Sequence, residues 1–557
     1  MQVYEAKEYG VLPNSQVAKP LAALFAKLQA DEAEKTLIFS AGTYYIDSAE
    51  CDEHMLYITN TVGDAEFSAD ETPHKNGVAL YLENVSNLTV LGNNAEFVID
   101  GKVTNMVLQN CENVTVKDLE ISHAHPDMHE LKAVKIAPCF VDYEIDRDTQ
   151  YTVENGRLWF YGKDYRYAAD KDARKAYWIG KIKQKTPDAV ARVGSPLVGA
   201  LRVKELKPNL VRVYYVNAFR FRRGDKYYLF DVRRQFAGIF INQCKNILLE
   251  GVKQRFNYSL ALVAQDSEDI RVNKATFAPK AEDARRLASV ADFLQVCMCR
   301  GTFSATDSLF EGAGDDCINV HGMHFGIQSV KGNRITVKFM HPQSHGYQPF
   351  HVGDEIAFIN SKTLLEQGRT TVENAVLLNE YEIELQVKST EKAKCGEVIE
   401  DVTACPDVYF AGNTVNRIIT RACLFTTRGK VLVENNHFKN NTMSGVLLSD
   451  DAKSWYESGM CCDVTVKNNV FDYCGATPIL IKPENSIHAG AVHKNIQILD
   501  NKFLSYPDVC ISASSTDGIR ISGNQYATDK ILKTKNCQNV EQNDEYSFKY
   551  SNINYGA

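Results

Sequence analysis

The sequence predicts an all-β chain wound as a parallel β-helix, on three observations. Short strands recur behind an asparagine, an amphipathic segment precedes the first strands, and two long stretches break the period and read as insertions. The recurrence is clearest at Asn413-Thr-Val415, Asn436-His-Phe438, Asn469-Val-Phe471, Asn501-Lys-Phe503 and Asn524-Gln-Tyr526, spaced 23, 33, 32 and 23 residues. A unit of that length is one coil of a solenoid. In each, the asparagine suits a tight turn or an inward ladder of stacked amides, and the apolar residue after it suits the core.

Taken in order, residues 16–28 carry Leu21, Leu24, Phe25 and Leu28 at helical spacing behind Asn14 or Ser15 as cap. A helix here covers the open end of a solenoid, whose terminal rung would otherwise expose apolar surface and backbone donors. Residues 36–46 read as two short strands around a glycine turn. Asn87-Leu-Thr-Val and Asn113-Val-Thr-Val then open alternating strands, and Asn246-Ile-Leu-Leu and Asp269-Ile-Arg-Val continue the series after a gap. That gap holds Arg157-Leu-Trp-Phe-Tyr, Leu210-Val-Arg-Val-Tyr-Tyr and a charged run over 163–192 that reads as partly helical. A second break holds Arg334-Ile-Thr-Val-Lys-Phe and Glu382-Ile-Glu-Leu-Gln-Val. Both breaks read as small antiparallel barrels or sheets. The expected organisation is a cap and first coils over 1–129, a barrel-like insertion over 130–236 and coils bearing the acidic cluster over 237–324. A second barrel-like insertion over 325–408 and the last coils over 409–557 complete it.

Hydrophobic residues make up 44% of the 557 and charged residues 24%, ordinary globular usage that argues against disorder. A net charge of -8 gives no reason to expect nucleic acid as partner. No apolar run approaches the roughly 20 residues that span a bilayer. The segment M-Q-V-Y-E-A-K-E-Y has no basic stretch followed by an apolar one, so the given chain carries no signal peptide. The fifteen cysteines are odd in number, lack a framework of spacings and sit in apolar strands, which favours buried thiols over disulfides. Cys297-Met298-Cys299 and Cys461-Cys462 have no second pair at zinc-site spacing.

The stretch 291–322 concentrates the chemistry. Asp292 lies 23 residues, one coil, before Asp315, and adjacent rungs of a parallel stack are about 4.8 Å apart, so the two carboxylates are expected side by side on one wall. Asp315 and Asp316 would face opposite ways on a regular strand, burying one charge. Gly312-Ala313-Gly314 supplies the bend that turns both outward. Three acidic groups so placed suit glycoside hydrolysis, in which a protonated carboxyl releases the leaving sugar and a carboxylate acts at the anomeric carbon. Like charge and desolvation would raise the pKa of Asp292 as a general acid requires, leaving Asp315 and Asp316 to hold and deprotonate a water. Further candidates for sugar contact are Asn319, His321, His324, Arg428, Asp450, Asp451, Trp455, Glu457 and Lys482, which supply planar hydrogen-bonding groups and an aromatic platform. The bland alternatives are a turn closed by Asp450 and Asp451, a core Trp455, structural histidines, and an Asx turn or calcium site at the Asp pair.

The runs Asp292-Phe-Leu-Gln, Cys299-Arg-Gly-Thr-Phe-Ser and Phe310-Glu-Gly-Ala-Gly-Asp-Asp-Cys-Ile-Asn-Val-His-Gly resemble glycoside hydrolase family 110, as do Thr427-Arg-Gly-Lys-Val-Leu-Val-Glu-Asn-Asn-His-Phe and Leu448-Ser-Asp-Asp-Ala-Lys-Ser-Trp-Tyr-Glu-Ser-Gly. The resemblance implies a right-handed parallel β-helix with two β-barrel insertions and exo-acting α-1,3-galactosidase activity. It implies Asp292 as acid, Asp315 and Asp316 positioning the water, inversion, and neither metal nor cofactor. It implies a galactose-terminated oligosaccharide or glycoconjugate as partner, of the branched blood group B or the linear Gal-α-1,3-Gal type, and a periplasmic or extracellular bacterial location. A homodimer is the one assembly allowed for. A calcium-dependent polysaccharide lyase, a polygalacturonase-like hydrolase and a non-catalytic glycan-binding solenoid share the fold, which does not choose between them.

Overall fold

The computed structural model describes residues 2–544 apart from 68, 169–175, 182–189, 194–195, 232, 284 and 505–507. The chain winds into a parallel β-helix whose coils contribute strands to three stacked faces. On one face Leu260–Gln265, Leu294–Cys297, Ile318–Met323, Cys423–Thr426, Val446–Leu448 and Ile479–Ile481 pair in sequence, all parallel. A second face runs through Glu268–Asn273, Arg300–Thr306, Asp407–Ala411 and Lys430–Glu434. A third is made of short strands such as Thr276–Phe277, Leu309–Glu311, Thr414–Asn416 and His437–Lys439. Ile318–Met323 pairs directly with Cys423–Thr426, so the 325–408 insertion leaves the stack and returns to it without opening a gap.

The asparagine pattern has the two physical roles its chemistry allows. In the early series Asn87, Asn113, Asn246 and Asp269 have φ of 54°, 55°, 54° and 56°, the left-handed region that short polar side chains tolerate. Their amides also link coil to coil, Asn113 Nδ2 donating to Asn87 Oδ1 at 3.1 Å and Asn246 Nδ2 to Asn113 Oδ1 at 2.7 Å. In the later series the asparagines point inward and form a continuous ladder. The backbone N–H groups of Asn413, Asn436, Asn469 and Asn501 donate to the Oδ1 of the asparagine one coil on at 2.8–3.0 Å. Beneath them Phe438, Phe471, Phe503 and Tyr526 stack at 5.0 Å between centroids. The ladder satisfies amides that a solvent-free interior would otherwise leave unpaired.

The capping helix is Ala18–Ala30, with Leu21, Leu24, Phe25 and Leu28 buried as its spacing predicts. Its start differs from the expectation. Val17 is the N-cap and no side chain caps the helix, because residues 14–17 are committed to strand Gly42–Asp47, with Asn14 N–H on the Thr43 carbonyl and Val17 N–H on that of Tyr45.

The first insertion is a seven-stranded antiparallel sheet that includes His129–Ala137, Phe140–Ile145, Leu210–Tyr215 and Lys226–Asp231, with a three-stranded sheet beside it and a core of its own. Its charged run is strand where it is described, at Arg166–Ala168, Ala176–Lys181 and Val190–Val193, and not helix. The intervening residues 169–175 and 182–189 lie outside the described set. The second insertion closes fully, six antiparallel strands forming a barrel around Phe325, Ile335, Val337, Ile356 and Leu385. All fifteen cysteines are free thiols, most of them buried. Among the described residues no helix is long and apolar enough to cross a membrane.

Candidate active site

Asp292 and Asp316 occupy the same position on successive coils. Strand Leu294–Cys297 pairs with Ile318–Met323 in the register Leu294 to Ile318. Carried back two residues, this sets Asp292 level with Asp316, and the Ile318 to Cys423 register sets Asp316 level with Arg421. The expected partner of Asp292 across the rungs was Asp315. The register assigns that place to Asp316, and Asp315 falls one residue earlier, on the bend. Glycine is required at this bend. A Cβ on Gly312, whose φ is +84°, would lie 2.3 Å from the Arg286 carbonyl oxygen, and one on Gly314 2.2 Å from that of Val290.

The three carboxylates differ in surroundings. Asp292 is buried, and its Oδ1 accepts the Asp316 backbone N–H at 3.1 Å. Burial, with Asp315 and Asp316 adding like charge, pushes its carboxyl well above the usual carboxylate range. Asp316 is also buried, but satisfied. Its Oδ1 accepts from the Thr420 hydroxyl and from Arg421 N at 3.0 Å, and its Oδ2 from Arg421 Nη2 at 2.5 Å. Burial and Asp315 raise Asp316 to about 6 while Arg421 pulls the other way. Asp315 is the more open of the pair, with 15% of its side chain accessible against 1%, and is ion-paired to Arg234.

These groups line a pocket of about 200 Å³ together with Asn60, Arg234, Asn319, Arg421, Ser449, Asp451, Trp455, Glu457 and Glu484. That is below the roughly 300–1,000 Å³ of drug-sized sites, which suits one terminal sugar better than a stretch of polymer. Six of its acidic groups face two arginines, a field that favours a cationic transition state over an anionic ligand.

The other sequence candidates divide. Asn319 Nδ2 donates to Glu457 Oε1 at 3.0 Å while its own Oδ1 is buried without a hydrogen-bond partner. Glu457 reaches the pocket because Glu457–Ser458 folds back antiparallel on Gly322–Met323. Asp451 is both pocket wall and turn, accepting from the Ser454 hydroxyl and from the N–H groups of Lys453, Ser454 and Trp455, which together hold its pKa down against burial. Trp455 is 46% exposed and not core, and it stacks on His341 at 4.5 Å. His321 lies behind the lining, its Nδ1 on the Gly322 carbonyl at 2.7 Å and its Nε2 2.6 Å from Gln295.

Besides His321, four candidates lie outside the pocket lining. His324 and Asp450 are buried against each other at 2.9 Å. Arg428 is partly buried between Glu400 and Glu366, tying the coils to the second barrel. Lys482 is exposed and pairs with Glu484 at 2.8 Å. The sequence reading missed Arg421, which only the coil register across the second insertion would have placed beside Asp316. It also missed Arg234 and Asn60, which arrive from segments with no repeat signal.

Two family models match parts of this architecture. Residues 334–399 match the family model GLAA-B beta-barrel domain II, and residues 368–526 match the right handed beta helix region. The chain is 34% identical over 520 residues to Alpha-1,3-galactosidase A of Bacteroides thetaiotaomicron, covering 91% of this chain and 89% of that protein. It is 28% identical to Alpha-1,3-galactosidase B of the same organism over 95% of this chain and 86% of that one. Among solved structures, the Family 28 exopolygalacturonase of Yersinia enterocolitica aligns with 97% of this chain and 78% of its own, at 11% identity and a TM-score of 0.40.

Proposed function

We infer the reaction from one premise, that the chain belongs to glycoside hydrolase family 110, the family of the α-1,3-galactosidases it resembles along most of its length. The chain is a glycoside hydrolase acting on a galactose-containing glycan. The finer reading is an exo-acting, inverting α-1,3-galactosidase that removes terminal galactose from the branched blood group B unit, the linear Gal-α-1,3-Gal unit, or both.

The observation that carries it is the placement of Asp292, buried beside two other carboxyls, where burial and like charge push its carboxyl well above the usual carboxylate range and so favour the acid form. One of its oxygens accepts the Asp316 N–H, which leaves the other to carry the proton of that form. In the proposed step that proton passes to the glycosidic oxygen as the bond from it to the anomeric carbon breaks. A water held by Asp315 and Asp316 bonds to the same carbon from the opposite face and gives its proton to that pair. Arg421 favours the charged form of Asp316, and the contacts of Arg234 with Asp315 and of Arg421 with Asp316 orient the pair. The unpartnered Asn319 Oδ1 and the Glu457 carboxylate offer acceptors for ring hydroxyls, and Trp455 at the rim offers a face for the next sugar.

The test is a proton NMR time course with Gal-α-1,3-Gal and with its fucosylated blood group B form, on the wild-type protein and Asp292→Asn. β-Galactose is expected as the first product, lost in the variant, with the ratio of rates ranking the two glycans. α-Galactose as the first product overturns inversion, and release of galactose from neither glycan overturns the substrate.

A further inference from the structure

Outside the pocket, and among the described residues, one cluster has the chemistry of a metal site and no part in the proposed hydrolysis. Asp64, His74 and His345 present ligand atoms that all lie within 4.8 Å of one another. The two histidines are buried, at 5% and 4% exposure, whereas Asp64 keeps 31% of its side chain open to solvent. Both imidazole Nε2 atoms converge on one carboxylate oxygen, His74 at 2.6 Å and His345 at 3.3 Å from Asp64 Oδ1.

A hydrogen-bond clasp accounts for only part of this. His74 bonds to Asp64, and the Tyr381 hydroxyl bonds to the other oxygen of the same carboxylate. His345 Nε2, however, is buried with no hydrogen-bond partner while aimed into the group. A buried imidazole nitrogen without a hydrogen-bond partner costs free energy unless something takes it up. Zinc bonds of about 2.0–2.1 Å to nitrogen and oxygen set tetrahedral ligands about 3.3 Å apart. The His345 to Asp64 distance already matches that spacing, and the His74 to Asp64 contact reaches it by opening about 0.7 Å.

We propose that Asp64, His74 and His345 form a divalent-cation site of the zinc class, with the fourth position open to water on the exposed side of Asp64. Two imidazoles and one carboxylate are the donor set such ions take. The site joins two parts of the chain far apart in sequence, the loop before strand Lys75–Glu83 and the 341–348 segment of the second insertion. Next to His345, Ser344 Oγ donates to Asn60 Oδ1 at 3.2 Å, and Asn60 lines the catalytic pocket. The cation therefore stands as a staple that holds one pocket wall, and it does not touch the reacting bond.

The experiment uses the full chain, stripped with chelator and titrated with zinc, then cobalt(II), beside His345→Gln and Asp64→Asn shown folded by circular dichroism. The expected result is one tight zinc per chain and a Tm that rises with free zinc. Cobalt should give ligand-field bands without thiolate charge transfer, and both variants should lose binding by 10-fold or more. The proposal is overturned if the wild type binds no more zinc than His345→Gln, or if the cobalt spectrum carries a thiolate band, which would place the metal on cysteine. Neither readout depends on the glycan, so its outcome is separate from that of the proposed hydrolysis.

Discussion

Asp316 gives its backbone N–H to Asp292 Oδ1 at 3.1 Å while its own carboxylate is engaged by Arg421. One residue thus orients the proposed acid through its main chain and serves the proposed base through its side chain. The stacking of coils makes this possible, because Asp292 and Asp316 are level on adjacent rungs just ahead of the paired strands Leu294–Cys297 and Ile318–Met323, where the Asp316 N–H can turn to a side chain.

Arg421 is expected to set the acid limb of the pH profile. Asp316 stands at about 6, raised by burial and lowered by Arg421, and as part of the proposed base it must be ionised, so kcat/KM should rise as pH climbs through about 6. Arg421→Met removes the group that favours the charged form, and the limb should move to higher pH by about 1 unit or more. A limb that stays in place would exclude Asp316 from the base.

The raised pKa of Asp292 is a stability cost with a definite sign. A carboxyl whose folded pKa lies above its unfolded value binds more protons in the folded state, so the stability it lends at low pH is lost as pH rises above the unfolded value near 4. Asp292→Asn should therefore be inactive yet more stable at pH 7, with a Tm gain of about 1–3 °C that vanishes towards pH 4. Thermal unfolding at both pH values checks it, and a Tm loss at pH 7 would mean that the fold does not raise the pKa of Asp292.

Trp455 is exposed at the rim and stacked on His341, so its removal should weaken substrate binding without loosening the core. Trp455→Ala is expected to raise KM about 10-fold, with kcat within about twofold and Tm unchanged. A selective loss of kcat would put the indole in the transition state instead.

Arg428 should behave in the opposite way. Its replacement by Met leaves Glu400, itself buried, without its cation, a change that costs about 3–5 kcal/mol. Urea unfolding should register that loss while kcat/KM of the folded protein stays within about twofold. A large fall in kcat/KM at full stability would return Arg428 to the site.

The sequence by itself determined the coil. Asparagine tolerates left-handed backbone and its amide can stack, and those two properties repeated at coil spacing mark Asn87, Asn113, Asn413, Asn436 and Asn469 before any coordinates are seen. It also brought Asp292, Asp315 and Asp316 within one coil of each other, since the local spacing of rungs follows from residue count. What only the tertiary structure decided was the register and everything delivered across it. A slip of one residue separates an Asp292 level with Asp315 from an Asp292 level with Asp316, and no local pattern encodes that slip. Arg421 lies 105 residues beyond Asp316, across a closed barrel, yet its guanidinium meets the carboxylate. Arg428 and Trp455, close in chain and alike in promise, went to the barrel seam and to the pocket rim. Local propensity fixes the strand; the partners that satisfy a buried charge depend on which distant surfaces the packed coils and insertions bring together.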